Sequence, residues 1–262
     1  MDTLDRAAPP RINLKNMAFT LDDGISPRAA IGLIVLATDH TIEHEWRALF
    51  AGLDGVGFYE SRIANAAAIN PETLRLMEKD IAACTAVIRP GERIDTVAYG
   101  CTSATIVIGE ENVFARIRAA RPDARCTTPI TAAIAGLKAL GCRRIAMLTP
   151  YVDAINRMMR DFVQAQGLDV PVFGSFSHEN DNEVARIDAA SVRRAALELG
   201  RHKDVDAVFV SCTSIRLAHF AASLEAELGK PVTSSNHAMA WHALRLSGVA
   251  DKLPRWGRLY TV

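Results

Sequence analysis

The tripeptide Cys-Thr-Ser occurs twice in this chain, as Cys101-Thr102-Ser103 and as Cys212-Thr213-Ser214. Each copy closes a short apolar run, Ile94–Tyr99 before the first and Ala207–Val210 before the second. Each is followed by residues that read as helix. The copies stand a little under half the chain apart. A repeated unit of strand, Cys-Thr-Ser and helix predicts two similar halves that face each other, with one thiol from each pointing into a shared cleft. A chain of 262 residues, 49% of them apolar, is long enough to build two cores.

Apolar, β-branched stretches alternate with helical ones along the chain. Strands are predicted at Ile31–Ala37, Val56–Glu60, Ile94–Gly100 and Cys126–Thr128. The same rhythm restarts with Arg144–Thr149, Val170–Phe176, Ala207–Ser211 and Pro231–Ser234. Helices are predicted between and after them, among them Pro71–Val87, Pro129–Gly141, Val152–Gln166, Arg216–Leu228 and His237–Leu246. Such alternation implies an α/β fold with parallel sheets and right-handed crossovers. Ligands of these sheets bind beyond the carboxyl ends of the strands, where both Cys-Thr-Ser copies fall. Residues 1–27 read as an N-terminal extension, ordered only where it packs on something.

Several function classes are disfavoured. Lysine plus arginine equals aspartate plus glutamate at 30 each, so nothing draws nucleic acid or an anionic membrane in bulk. No apolar run approaches the ~20 residues of a membrane span. The mixed, charged beginning lacks the pattern of a secretory signal. Five cysteines are an odd number without a disulfide framework, and a reduced, cytoplasmic protein is expected. Cys84, Cys126 and Cys142 read as structural thiols. No dinucleotide or phosphate-loop motif is present, and no cofactor is expected. His40-Thr-Ile-Glu43-His44 fits the H-x-x-E-H pattern of a zinc peptidase. No third ligand stands out, so a solvated helical turn is expected there rather than a metal site.

A cysteine between a strand and a helix has two physical advantages. The helix start favours the thiolate. The free N–H groups of the next turn hold a carboxylate or an enediolate oxygen. Thr102, Ser103, Thr213 and Ser214 add hydroxyl donors. Two opposed thiols suit racemisation, in which a proton leaves one face and another arrives on the other. They also suit attack of one thiolate on an activated alkene, with the second thiol as acid. A lone cysteine is more often a buried structural residue. Duplication with the same Thr-Ser and the same placement favours chemistry. A non-catalytic protein that captures an amino acid between two halves is the rival reading.

The pattern resembles the cofactor-independent aspartate/glutamate racemase superfamily, and within it the maleate cis–trans isomerase and arylmalonate decarboxylase group. Further stretches carry the resemblance: Leu140–Ala146, Thr149-Pro-Tyr151 with Asn156, Asp181-Asn182 with Ala185–Ile187, Trp241 with Leu244-Arg245, and Trp256–Leu259. It implies two flavodoxin-like halves related by a pseudo-two-fold axis. Residues 28–128 and 231–262 would form the first half and 129–230 the second. Cys101 would be the nucleophile or first base and Cys212 the opposing acid or base. Thr102, Ser103 and Thr213 would line the oxyanion and carboxylate pockets. Tyr151 and Asn182 would donate to a substrate carboxylate. The implied function is a cofactor-independent isomerase, racemase or cis–trans, of a small carboxylic acid, with decarboxylation as the alternative and a homodimer as the implied form. One feature departs from maleate isomerases: Thr38-Asp39 stands where they have Ser-Asn. Asp39 at the substrate would repel a dicarboxylate and attract an ammonium. The Ala37–Glu43 stretch is similar to the ectoine/hydroxyectoine utilisation protein A branch, which implies a small amino or cyclic amidine acid.

Overall fold

A computed structural model describes residues 12–262. The first half runs β1 (Ala29–Leu36), α1 (Ile42–Phe50), β2 (Val56–Ile63), α2 (Pro71–Arg75), α3 (Ile81–Ala86), β3 (Thr96–Tyr99), α4 (Thr102–Ile108), α5 (Glu110–Ala120) and β4 (Arg125–Thr127). A linking helix, α6 (Pro129–Ala139), leads to β5 (Arg144–Thr149). Then follow α7 (Asp153–Ala165), β6 (Asp169–Ser175), α8 (Asp181–Val184), α9 (Ala189–Gly200), β7 (Ala207–Val210), α10 (Ala221–Leu228), β8 (Val232–Ser234) and α11 (Ser235–Leu246). The strands form two parallel four-stranded sheets, in the orders β2-β1-β3-β4 and β6-β5-β7-β8. The two orders are the same when each half is numbered from its own first strand. This is the doubly wound arrangement of the flavodoxin type, and the predicted fold class holds.

Strands β1, β3 and β7 are buried along their whole length, as expected of sheets covered on both faces. One apolar core runs through both halves. Gly100 ends β3 where a Cβ would lie 2.8 Å from the carbonyl oxygen of Ile34. Only glycine fits that approach, and it brings Cys101 directly above the sheet.

Two predicted elements differ. The chain was expected to return to the first half at residue 231, but Val232–Ser234 pairs with β7 in the second sheet. The return comes with α11, which packs on α1 and α6 and on β3 of the first half. The helix predicted from Arg216 starts only at Ala221, after a 3₁₀ turn at Ala218–Phe220. The N–H groups of Leu217 and Ala218 are held instead by the Glu45 carboxylate, at 2.7 Å each. A tertiary contact from α1 thus outcompetes local helix formation.

Candidate active site

Cys101 leaves β3 in an extended conformation, with φ −142°, and caps the N-terminus of α4. Cys212 leaves β7 with φ +117°. That is a left-handed backbone for a residue with a side chain, and such strain concentrates at functional sites. Both thiols line one narrow cavity of about 20 Å³, roughly the space of a single water. Thr102, Ser103, Thr213 and Tyr151 line it with them. The lining also includes the apolar side chains of Leu36, Ile69, Leu74 and Met77.

Six of the eight residues proposed from sequence therefore share one cavity. Asp39 and Asn182 are not among its lining residues. Asp39 is buried, but Oδ1 accepts the N–H groups of Thr41 and Ile42, at 2.7 and 2.8 Å. It holds the start of α1 in the manner of a helix cap. Asn182 points to His40, with Oδ1 at 3.1 Å from Nε2. Its neighbour Asp181 enters the lining instead, and a one-residue choice within a short helical turn decides which side chain faces the cavity. The H-x-x-E-H residues diverge: His40 meets Asn182, Glu43 pairs with Arg62, and His44 packs on the ring of His219.

Sequence reasoning missed three residues. Asp181 accepts hydrogen bonds from Ser214 Oγ, at 2.8 Å, and from Thr38 Oγ1. Asn65 lines the cavity and donates to Thr38 Oγ1 at 2.7 Å. The resulting chain Asn65–Thr38–Asp181–Ser214 spans both halves. Ser235, fully buried at the start of α11, accepts the N–H of Cys212 at 3.0 Å. Its hydroxyl also bonds the Thr102 hydroxyl at 2.9 Å. One serine thus ties the two Cys-Thr-Ser corners together. The Asp181-Asn182 pair was the only one of these signals visible in the sequence.

The electrostatics overturn one expectation. Burial pushes the Cys101 thiol up to about 12, and the charges of Asp181 and Asp39 add to the rise. The Ala104 N–H acts in the opposite sense. Burial also pushes the Cys212 thiol well up, with Asp181 adding and Tyr151 and the Ser214 N–H opposing. A helix terminus supplies only ~0.3–1 kcal/mol, less than one pKa unit, so desolvation wins. Burial therefore favours the protonated thiol at both positions. Burial likewise raises Asp39 to about 6, against the N–H groups of Ile42 and Thr41. Among the described residues no lysine or arginine lines the cavity.

The sequence pattern of the arylmalonate decarboxylase family matches residues 31–260. The chain belongs to this family. Arylmalonate decarboxylase of Bordetella bronchiseptica is 34% identical over 137 residues, 52% of this chain and 57% of that enzyme. Maleate isomerase of Nocardia farcinica is 27% identical over 238 residues, 87% of this chain and 94% of that enzyme. Among solved structures, a mutant of the Nocardia farcinica maleate cis–trans isomerase holds a covalently bound succinylcysteine intermediate. It superposes with a TM-score of 0.81 at 25% identity, covering 89% of this chain and 98% of that one. A liganded mutant of arylmalonate decarboxylase gives 0.76 at 26% identity, covering 88% and 98%. The arylmalonate decarboxylase family thus includes this chain, and the resemblance read from the motifs is confirmed at the level of the maleate isomerase and arylmalonate decarboxylase group.

Proposed function

We propose that this chain is a cofactor-independent isomerase of a small carboxylic acid, with Cys101 and Cys212 as its two catalytic groups. The carrying observation is that both thiols, from matching strand ends of the two halves, line one narrow cavity. In the proposed reaction the Cys101 thiol first gives its proton to solvent as the substrate binds, and the thiolate then takes a proton from the carbon next to the carboxylate. The Cys212 S–H then returns a proton on the opposite face. Hydroxyls of Thr102, Thr213 and Tyr151 hold the carboxylate and the negative charge that develops on it.

Charge argues for the substrate class. A dicarboxylate would enter beside Asp181, within reach of the Asp39 charge and with no lysine or arginine among the described lining residues, and would push both thiols further from ionisation. An ammonium or amidinium would do the reverse. This supports a small amino or cyclic amidine acid, in keeping with the likeness of Ala37–Glu43 to the ectoine/hydroxyectoine branch. The apolar side chains of Leu36, Ile69, Leu74 and Met77 in the lining favour a second reading, decarboxylation of a malonate with an apolar substituent. We take the protein to act in a reducing, cytoplasmic compartment as a homodimer. All five of its cysteines are unpaired, and no helix among the described residues is long and apolar enough to cross a membrane.

Proton NMR of candidate acids in deuterium oxide tests the reading. Exchange at one carbon with appearance of the mirror image means racemisation; a smaller acid means decarboxylation. Cys101→Ala and Cys212→Ala are each expected to lower turnover by at least ~10³-fold with an unchanged circular dichroism spectrum. Near-normal turnover in either variant refutes the two-thiol mechanism.

A further inference from the structure

The body of the fold begins at Ser26. Its side chain is buried and bonds the Tyr59 hydroxyl at 2.8 Å, and Arg93 holds the carbonyls of Ser26 and Pro27. Residues 12–25 lead away from this root with neither helix nor strand. Their apolar side chains are large and project into solvent: Ile12 is 77% exposed, Leu14 72%, Met17 69%, Phe19 81%, Leu21 89% and Ile25 80%. Elsewhere among the described residues, exposed large apolar side chains occur only singly, at Leu76, Val87 and Val262. Isolated exposed apolar residues are ordinary, but a contiguous set marks an interaction surface.

The spacing is that of a strand. Ile12 and Leu14 lie two apart, as do Met17, Phe19 and Leu21, with Asn16 at φ +53° resetting the register between the sets. Side chains two apart share one face of an extended chain. Among the described residues, the only hydrogen bond recorded within this segment is local, from the Gly24 N–H to Asp22. No other partner for its backbone is found among the described residues. The segment also lies before residue 31, where the family match begins.

We propose that residues 12–25 form an arm that docks on a second copy of this chain, each copy giving and receiving one arm. The area fits a second copy of the chain. A side chain of this kind hides ~60–120 Å² when buried, so a single arm offers roughly 350–700 Å² of its own surface. Together with the surface it covers, one arm falls at or below the ~1,200–2,000 Å² of a stable interface. Two reciprocal arms about a two-fold axis reach that range, as an isologous contact requires. The acceptor is a surface the chain already owns. Its sheets end in unpaired edges at the eight-residue β2 and the seven-residue β6, and an extended arm adds to such an edge through its backbone.

This inference gives a named contact to the homodimer reading and does not depend on the chemistry of the thiols. The test is light scattering coupled to size exclusion, on the full chain and on the full-length triple variant Leu14→Ser, Phe19→Ser, Leu21→Ser. The expected result is a dimer for the full chain and a monomer for the variant, with the same circular dichroism spectrum and the same turnover per chain. A variant that stays dimeric overturns the arm and leaves the homodimer standing. A monomeric full chain at tens of micromolar overturns both.

Discussion

Cys101 and Cys212 carry the same tripeptide on different backbones. The first is extended and the second holds φ +117°. Replacing each by glycine and by alanine separates strain from side-chain loss. At position 212 a Cβ is what makes the conformation costly, so Cys212→Gly is expected to be about 1 kcal/mol more stable than Cys212→Ala. At position 101 the order should invert, with Cys101→Ala ahead by about 0.5–1 kcal/mol. Urea midpoints of the four variants decide it, and the same order at both positions would mean that the strain at Cys212 is not stored in its backbone. That strain is maintained by neighbours: Ser235 takes the Cys212 N–H, and Asn236 donates to the Thr213 carbonyl at 2.7 Å. A repeated motif therefore does not guarantee repeated geometry. The two corners present their sulfurs from different local structures, which suits a pair with two different roles.

Among elements, α1 helps to join the halves through Glu45. This carboxylate is fully buried. It accepts the Leu217 and Ala218 N–H groups and the Asn236 side chain. Burial nonetheless raises its pKa to about 7, against those donors. The folded state thus binds this proton more tightly than the unfolded chain. Its stabilising contribution is complete below the usual carboxylate range and is lost as pH rises through about 7, on the order of 3 kcal/mol at most. Asp39 acts in the same direction through about 6. His237, lowered to about 4 by burial, acts oppositely and loses stability as pH falls below its usual range. Glu45→Gln is expected to flatten the fall in unfolding free energy between pH 5 and pH 8, measured by urea denaturation. Equal slopes in the two proteins would place the effect elsewhere. The same contact explains what the sequence could and could not convey. Strands buried on both faces and helices with clear stops at Gly141 and Gly229 were readable, because local pattern and burial agree there. The late start of α10 was not, because the acceptor that captures residues 217 and 218 sits on α1. Asp181 was passed over for Asn182 for a similar reason. Which of two adjacent side chains faces the cavity depends on how the turn capped by Asn180 meets the other half.

At the scale of the whole molecule, the halves close on the cavity. Asp181 N–H bonds the Ala67 carbonyl at 3.0 Å, and Ile69 N–H bonds the Glu179 carbonyl at 3.1 Å. These bonds form a short antiparallel bridge between the loop after β2 and the loop before α8. Ile69, which lines the cavity, and Asp181, which anchors the chain of polar contacts across it, are both part of the clasp. A cavity of about 20 Å³ has no room for a carboxylic acid, so entry requires an opening. The clasp is the natural place for it. It consists of two backbone bonds between loops and a few side-chain bonds of Asp181 and Asn182, whereas α6 and α11 pack along each other and α11 continues into contacts with β3 and β4. Parting the loops leaves that core intact, so the opening is local rather than global. Amides of Ile69 and Asp181 are then expected to exchange with deuterium at least ~10²-fold faster than amides in the middle of β1. A saturating substrate should slow those two amides and leave β1 unchanged, because a ligand that binds only the closed form adds its binding free energy to the opening equilibrium. Hydrogen exchange read by mass spectrometry or NMR gives both rates. Exchange of the clasp amides at the rate of β1 would mean that the loops part only when the fold does, and that the acid enters by another route.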